Sequence, residues 1–252
     1  MNVEQLCAQI TNFGFDLVGA ELALDAKPHI AREISGNRTS LIWVRDRNAP
    51  LMIGNPSTLD CYRSLVEAKD YSYLMNDGEV IQIALTYDGR RIAAHRFLYH
   101  PCPFPVAKAE VDKFGGRLLD FIDGTYTDDV RENLLLRSPI RFDFAPDAVT
   151  ESHPASHLTL NGPDCRIPVR APLQFGTFIE FVLRNFYTDA WPHEADTQLR
   201  RFRHDDEECL TPADRGRMHL NWEAAQPRRR LPRRARVASR RQAARSRRQP
   251  RA

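Results

Sequence analysis

The chain has no run of apolar residues long enough to cross a membrane, which takes roughly 18 in a row. Its first residues, Met1-Asn2-Val3-Glu4-Gln5, lack the basic segment and the apolar stretch of a secretory signal. The five cysteines are scattered, and no two of them stand in a C-x-x-C spacing. Thiols without a disulfide framework are typical of a reducing compartment. We therefore expect a cytoplasmic protein that does not bind membranes.

The sequence signatures of several common enzyme classes are also missing. The chain has no glycine-rich phosphate loop, no G-x-S-x-G turn, no H-E-x-x-H pair and no dinucleotide fingerprint. The scattered cysteines disfavour a zinc site built on thiolate pairs. We expect no cofactor and no metal, so any chemistry must come from side chains that folding brings together.

Positive and negative charges are unevenly distributed along the 252 residues, which hold 36 Lys and Arg against 33 Asp and Glu. Twelve arginines lie between Arg228 and Arg251, where there is no acidic residue. Removing these twelve from the 36 leaves 24 basic residues against 33 acidic ones in residues 1–226, a net charge of −9. An acidic body disfavours a basic fold wrapped around nucleic acid.

The arginine-rich tail, residues 227–252, is too poor in apolar residues to bury a core, so we predict that it is disordered. Two explanations of the tail remain open. It could bind nucleic acid or another anionic surface by counterion release. It could instead be a read-through extension in a GC-rich genome, which would give the same composition.

The apolar pattern of the body predicts an α+β fold. Helical spacing occurs near the N-terminus and in residues 107–122 and 175–187. Asn76-Asp77-Gly78 and Asp88-Gly89 separate apolar runs and predict an antiparallel meander, in which Gln82 would face His95. We predict a single α+β domain over residues 1–226. Its mainly antiparallel sheet of five to seven strands would have the helices packed on one face.

The third quarter of the chain resembles a bacterial family known only as a domain of unknown function, number 2290. The densest part of the resemblance lies in residues 139–144 (PIRFDF), 152–160 (SHPASHLTL), 165–169 (CRIPV) and 178–187. The resemblance spans most of residues 1–222 and leaves the arginine-rich tail outside. It implies a common fold unit but no activity, substrate or cofactor.

The candidate site is a set of polar side chains within this same region. Arg141 and Asp143 lie on one face of a predicted strand, and His157, Thr159 and Arg166 lie on one face of a predicted hairpin. If these strands are neighbours, two imidazoles, a carboxylate and two guanidinium groups converge. Two imidazoles can serve as general base and general acid on a phosphodiester, while arginines bind the phosphate.

This pattern predicts a metal-independent ribonuclease site and is loosely similar to the histidine and arginine runs of small bacterial toxin proteins. We predict the catalytic residues to be His153, His157, Arg141, Asp143 and Arg166. His95, Arg96 and His100 are a weaker extension of the set.

Three other interpretations stay open at this point. Asp143, His153 and His157 could bind a metal, although Pro154 argues against the helix that would align the two histidines. The same residues could be an ordinary structural network, since such networks also perturb histidines. The acidic run at residues 205–208 could hold a cation, but such runs are more often solvated.

Two functions of different class are therefore compatible with the sequence. The first is a nucleic-acid-directed, ribonuclease-like toxin or defence component that acts on RNA through the paired histidines. The second is a non-catalytic module of a multi-gene bacterial system, whose acidic body binds a protein partner.

Overall fold

A nine-stranded antiparallel sheet forms the centre of the fold. The computed structural model describes residues 2–45, 59–126, 132–160, 164–188 and 207–221. The strands are β1 Ala23–Ala26, β2 His29–Ser35, β3 Arg38–Trp43, β4 Tyr73–Met75, β5 Val80–Asp88, β6 Arg91–His100, β7 Ile140–Phe144, β8 Ser156–Leu160 and β9 Arg166–Pro168. Their order is β1-β4-β5-β6-β7-β8-β9, with β3 also paired to β5 and β2 paired to β3.

Six α-helices and a short 3₁₀ helix at Pro146–Ala148 accompany the sheet within the described ranges. The α-helices are α1 Val3–Gly19, α2 Leu59–Glu67, α3 Lys108–Lys113, α4 Leu118–Thr125, α5 Phe175–Phe186 and α6 Pro212–Arg215. The α+β class and the mainly antiparallel sheet are confirmed. The sheet has nine strands rather than five to seven because β1 and β2 add a region to which the sequence pattern assigned no strand.

Helices cover both faces of the sheet, whereas the sequence predicted one covered face. Phe97 of β6 stacks on Phe178 of α5, with ring centroids 5.0 Å apart. Its neighbour Leu98 belongs instead to a core cluster that includes Val111 of α3 and Phe121 of α4. Successive strand residues point to opposite faces, so α5 lies on one face and α3 and α4 on the other. We call these the α5 face and the α4 face.

The helix predicted over residues 107–122 is in fact two helices, α3 and α4. Gly115 and Gly116, which lie between them, have φ of +67° and +74°. Glycine adopts this left-handed backbone without the steric cost that other residues incur. The two glycines therefore end α3 and turn the chain into α4.

The predicted register of the β5–β6 hairpin is wrong by three residues. The closing pair is Asp88 with Arg91, which makes Gly89-Arg90 the loop, and a bulge follows next to Thr86. As a result Gln82 lies opposite Leu98 and not opposite His95. A register shift by an odd number of residues moves side chains to the other face of a sheet. The true register of β5 and β6 therefore decides which of their side chains can lie on the same face as the site.

Two predictions lie outside the described residues. These are the disordered tail over residues 227–252 and the domain boundary at residue 226. The acidic run at residues 205–208 is described only at Glu207 and Glu208.

Candidate functional site

The strands that carry the predicted site residues are neighbours in the sheet. β7 and β8 pair so that Asp143 lies opposite His157 and Arg141 lies opposite Thr159. β8 and β9 pair so that Thr159 lies opposite Arg166. Because directly opposite residues share a face, these side chains all lie on the α4 face. The register therefore brings together the groups that the sequence pattern singled out.

Asp143 is the electrostatic centre of the cluster. Its Oδ2 accepts a hydrogen bond from Arg141 Nε at 2.6 Å, and its Oδ1 accepts one from Arg96 Nε at 3.0 Å. Burial alone would raise the pKa of this carboxyl, but the two arginines reverse the effect and hold it below its usual value. Asp143 is therefore an ionised carboxylate with charged partners on both oxygens.

His157 lies under this ion-pair network, and only 1% of its side chain is exposed. Its Nδ1 is 3.0 Å from the carbonyl oxygen of Pro154, and its Nε2 is 3.6 Å from Asp143 Oδ2. Burial lowers the pKa of His157, and the opposing effect of Asp143 does not compensate for it. The ring is thus neutral at pH 7, with Nδ1–H donating to the Pro154 carbonyl.

His153 is half-buried and contacts His157 directly. The two ring centroids are 4.6 Å apart with an interplanar angle of 70°, an edge-to-face contact. A general base and a general acid that flank a phosphodiester need space for the phosphate between them. Of the two histidines, only His153 is partly exposed, and the catalytic roles of both stay predictions.

Three buried polar atoms around the cluster have no hydrogen-bond partner within the described part of the chain. They are His153 Nδ1, Thr159 Oγ1 and Arg166 Nε. Buried polar groups are nearly always paired, so each unpaired one calls for an explanation. Thr159 and Arg166 lie directly opposite each other on β8 and β9, so two of these three unpaired atoms belong to residues that share one face of the hairpin.

Of the weaker extension, only Arg96 joins the cluster, through its hydrogen bond to Asp143. His95 points to the α5 face, where it stacks on Phe97 and accepts a hydrogen bond from the Leu173 amide. Burial lowers the pKa of His95 to about 3, so it is neutral and structural. Correct pairing of β6 with β7 would have identified Arg96, which lies opposite Asp143.

A pocket of about 730 Å³ lies at one end of the sheet. Its lining includes Phe144 at the end of β7 and Ala155 just before β8, together with Leu6 of α1 and Ile92 of β6. Phe144 directly follows Asp143 in the sequence, and Ala155 lies two residues from both His153 and His157. The lining residues do not include the cluster residues themselves.

Two further observations concern metal ions and membranes. Within the described ranges, no group of three or more His, Cys, Asp or Glu side chains is arranged to hold a metal ion. No helix in the same ranges is both long and apolar enough to span a bilayer.

The fold and site define an α+β protein with a buried arginine–aspartate–histidine cluster on one face of an antiparallel sheet. Residues 24–222 match the profile of the family described as "Uncharacterized conserved protein (DUF2290)", and the chain belongs to this family. No curated protein and no solved structure gives a significant match.

Proposed function

We propose that the protein binds RNA through the α4 face of β7, β8 and β9, with Arg141 and Arg166 on the phosphates. The observation that carries this proposal is that two directly opposite residues, Thr159 and Arg166, each have a buried polar atom, Oγ1 and Nε, without a partner within the described residues. Hydroxyl and guanidinium groups are donors, and a phosphate oxygen is an acceptor that would satisfy both.

The charge of the cluster supports an anionic ligand. Arg96 and Arg141 are ion-paired with a single carboxylate, Asp143, and Arg166 lies opposite Thr159 on the same face. The three arginines and one carboxylate leave two positive charges in excess. This excess lies on a body whose net charge over residues 1–226 is −9, as counted from the sequence. A local positive patch on an otherwise acidic body favours the binding of an anionic group at this one site over the wrapping of nucleic acid around the whole surface.

The salt dependence of RNA binding tests this proposal. Each phosphate contact to a single strand adds about −0.7 to the slope of log affinity against log salt. We expect Arg166→Ala to weaken binding of a fluorescently labelled single-stranded RNA and to reduce that slope by about 0.7. Arg32→Ala on the exposed strand β2 removes the same charge elsewhere and should leave the slope unchanged. Equal effects of the two variants would contradict the proposal.

The catalytic form of the proposal is a ribonuclease-like toxin or defence component. It requires His153 to take the proton of an RNA 2′-hydroxyl, whose oxygen then attacks phosphorus and displaces the 5′-oxygen of the next nucleotide. The 5′-oxygen takes a proton from water as it leaves, and His153 then returns its own proton to water. The products would be a 2′,3′-cyclic phosphate and a 5′-hydroxyl. We expect His153→Gln to abolish cleavage of end-labelled RNA while it retains RNA binding. Cleavage that persists in this variant would exclude the role of His153.

A specific observation also favours the second function, a non-catalytic interaction module. Asp143 has both oxygens bound to arginines, and His157 is enclosed beneath them, which is how a purely structural network is built. Under this alternative, purified wild type binds no RNA. Expression of wild type and of His157→Ala in bacterial cells is then equally harmless. If expression of the wild type arrests growth while the folded His157→Ala variant is harmless, the result would favour the enzyme.

A further inference from the structure

A second polar cluster lies on the α5 face, around the turn between β4 and β5. It contains Asp77 and Glu79 from the turn, Tyr99 from β6, Arg137 from the segment before β7, and Tyr187 at the C-terminal end of α5. The side chain of Glu79 is only 5% exposed, while that of Arg137 is 45% exposed. Two carboxyl groups are thus held close together with one partly solvated cation.

The hydrogen bonds of this cluster centre on the two carboxyl groups. Tyr187 Oη lies 2.8 Å from Asp77 Oδ1 and 2.8 Å from Glu79 Oε2. Tyr99 donates its own hydroxyl hydrogen to Glu79 Oε2. Arg137 Nη1 is 3.1 Å from the other oxygen, Glu79 Oε1. Tyr187 is therefore the bridge between Asp77 and Glu79.

Counting hydrogens shows that the bridge lacks one donor when both carboxyl groups are ionised. A tyrosine hydroxyl has one hydrogen and can donate it to one acceptor. The carboxylate oxygen that does not receive this hydrogen would then lie 2.8 Å from a lone pair of Tyr187 Oη, in a buried site. A proton on one of the two carboxyl groups supplies the missing donor, because a protonated carboxyl can donate to Tyr187 Oη.

We propose that Asp77 and Glu79 share one proton through Tyr187, and that the resulting hydrogen bonds join the C-terminal end of α5 to the β4–β5 turn. We call these hydrogen bonds the latch, and because they need the shared proton, the latch is sensitive to pH. Loss of the proton leaves two buried carboxylates next to each other, which repel and favour opening toward water. The latch joins residues more than a hundred positions apart, so opening separates a helix end from a sheet turn.

The groups that face the latch support its titration near neutral pH. Burial raises the pKa of Glu79 to about 7, and the charge of Asp77 adds to this effect, while Arg137 and the two tyrosines oppose it. Burial also raises the pKa of Asp77.

On the other side of the turn, Tyr62 donates to the Gly78 carbonyl at 2.5 Å and contacts Cys102. Burial raises the pKa of Tyr62 and raises that of Cys102 to about 11, so both are neutral at pH 7. Tyr99 and Tyr187 also have raised pKa values and are neutral. The latch is therefore formed below about pH 7 and lost as the pH rises through that value.

Hydrogen exchange at the two ends of the latch provides the test. The Tyr187 amide donates to the Leu183 carbonyl and reports on the end of α5, and the Gly78 amide reports on the turn. In the wild type, protection at both amides should fall at least tenfold between about pH 6 and about pH 8.5, after correction for the intrinsic rate. Glu79→Gln stays neutral and should remove this pH response, as should Tyr187→Phe.

Tyr126→Phe is the matched control, because Tyr126 donates to the Pro105 carbonyl away from the latch and should retain the wild-type response. Asp77→Asn serves as a second variant if Glu79→Gln does not fold. Protection in the wild type that does not change with pH would overturn the proposal. A pH response that survives in both Glu79→Gln and Asp77→Asn would overturn it as well.

Discussion

Thr159→Val removes the hydroxyl that lies unpaired in the candidate RNA site and leaves a side chain of nearly the same shape. Thr159 is 7% exposed, and its Oγ1 has no partner within the described residues. A buried polar group without a partner costs about 1–3 kcal/mol of desolvation. We therefore expect the free energy of unfolding of Thr159→Val, without ligand, to rise by about 1 kcal/mol.

Urea unfolding followed by circular dichroism measures this change, with an unchanged slope in denaturant as the sign that only stability was altered. The expected gain corresponds to a rise in melting temperature of about 2–4 °C for a domain of this size. The same substitution should weaken RNA binding about tenfold or more, since a hydrogen bond to a charged acceptor is worth about 1.5–3 kcal/mol.

Thr86→Val is the matched control, because Thr86 is a half-buried strand residue whose hydroxyl is not among the buried unpaired atoms. Its substitution should change stability by less than about 0.5 kcal/mol. If Thr159→Val instead destabilises the fold by 1 kcal/mol or more while Thr86→Val does not, the Thr159 hydroxyl already has a partner. The inference of a vacant ligand position would then be refuted.

Three further predictions concern the stability of the fold. Asp70→Ala should cost about 1.5–3 kcal/mol in urea unfolding, because it removes the buried carboxylate to which Trp43 Nε1 and Arg45 Nε donate hydrogen bonds; a loss below 1 kcal/mol would contradict this. Phe178→Ala should cost about 3–5 kcal/mol, since it removes a fully buried ring of the α5 face, and a gain in stability would show that face to be overpacked. Folding lowers the pKa of His95, so the stability it contributes is present above about pH 6.5 and lost as the pH falls toward about 3. His95→Gln keeps an acceptor for the Leu173 amide and should flatten the stability profile between about pH 6.5 and 4, and an unaltered profile would argue against a buried neutral imidazole.

Local patterns were enough to predict the α+β class and the strands β7, β8 and β9 that carry the candidate site residues. Phe175, Phe178 and Val182 repeat at helical spacing and are buried on α5, as expected for an amphipathic helix. The β8–β9 hairpin pairs Leu158 with Ile167, as its short loop and strand alternation required. These features depend on residues close together in the chain, which is why the sequence alone could predict them.

Features that depend on long-range register could not be predicted in the same way. The loop at Gly89-Arg90 shifts the β5–β6 register by two residues from the predicted one, and the bulge next to Thr86, which has no clear sequence signal, adds a third. Together they move Gln82 from the predicted partner His95 to Leu98. The role of Arg96 follows from pairing between β6 and β7 across 47 positions, and no local pattern specifies that pairing. The cluster around Glu79 was missed for the same reason, because Tyr187 approaches it from 108 positions away.

The two polar clusters share strand β6 but lie on opposite faces of the sheet, and this arrangement predicts whether they are coupled. Arg96 of the first cluster and Tyr99 of the second are three residues apart on β6, so their side chains point to opposite faces of the sheet. The hydrogen bonds that define the clusters have no residue in common.

Substitutions without shared partners usually add to within about 0.5 kcal/mol. We therefore expect Glu79→Gln to leave RNA affinity unchanged within about twofold at pH 6 and at pH 8.5, and Arg166→Ala to leave the pH response of the Tyr187 amide unchanged. A larger change of affinity in Glu79→Gln would mean that opening of the latch shifts β6 against β7. The two faces would then act as one pH-dependent binding device rather than as separate features.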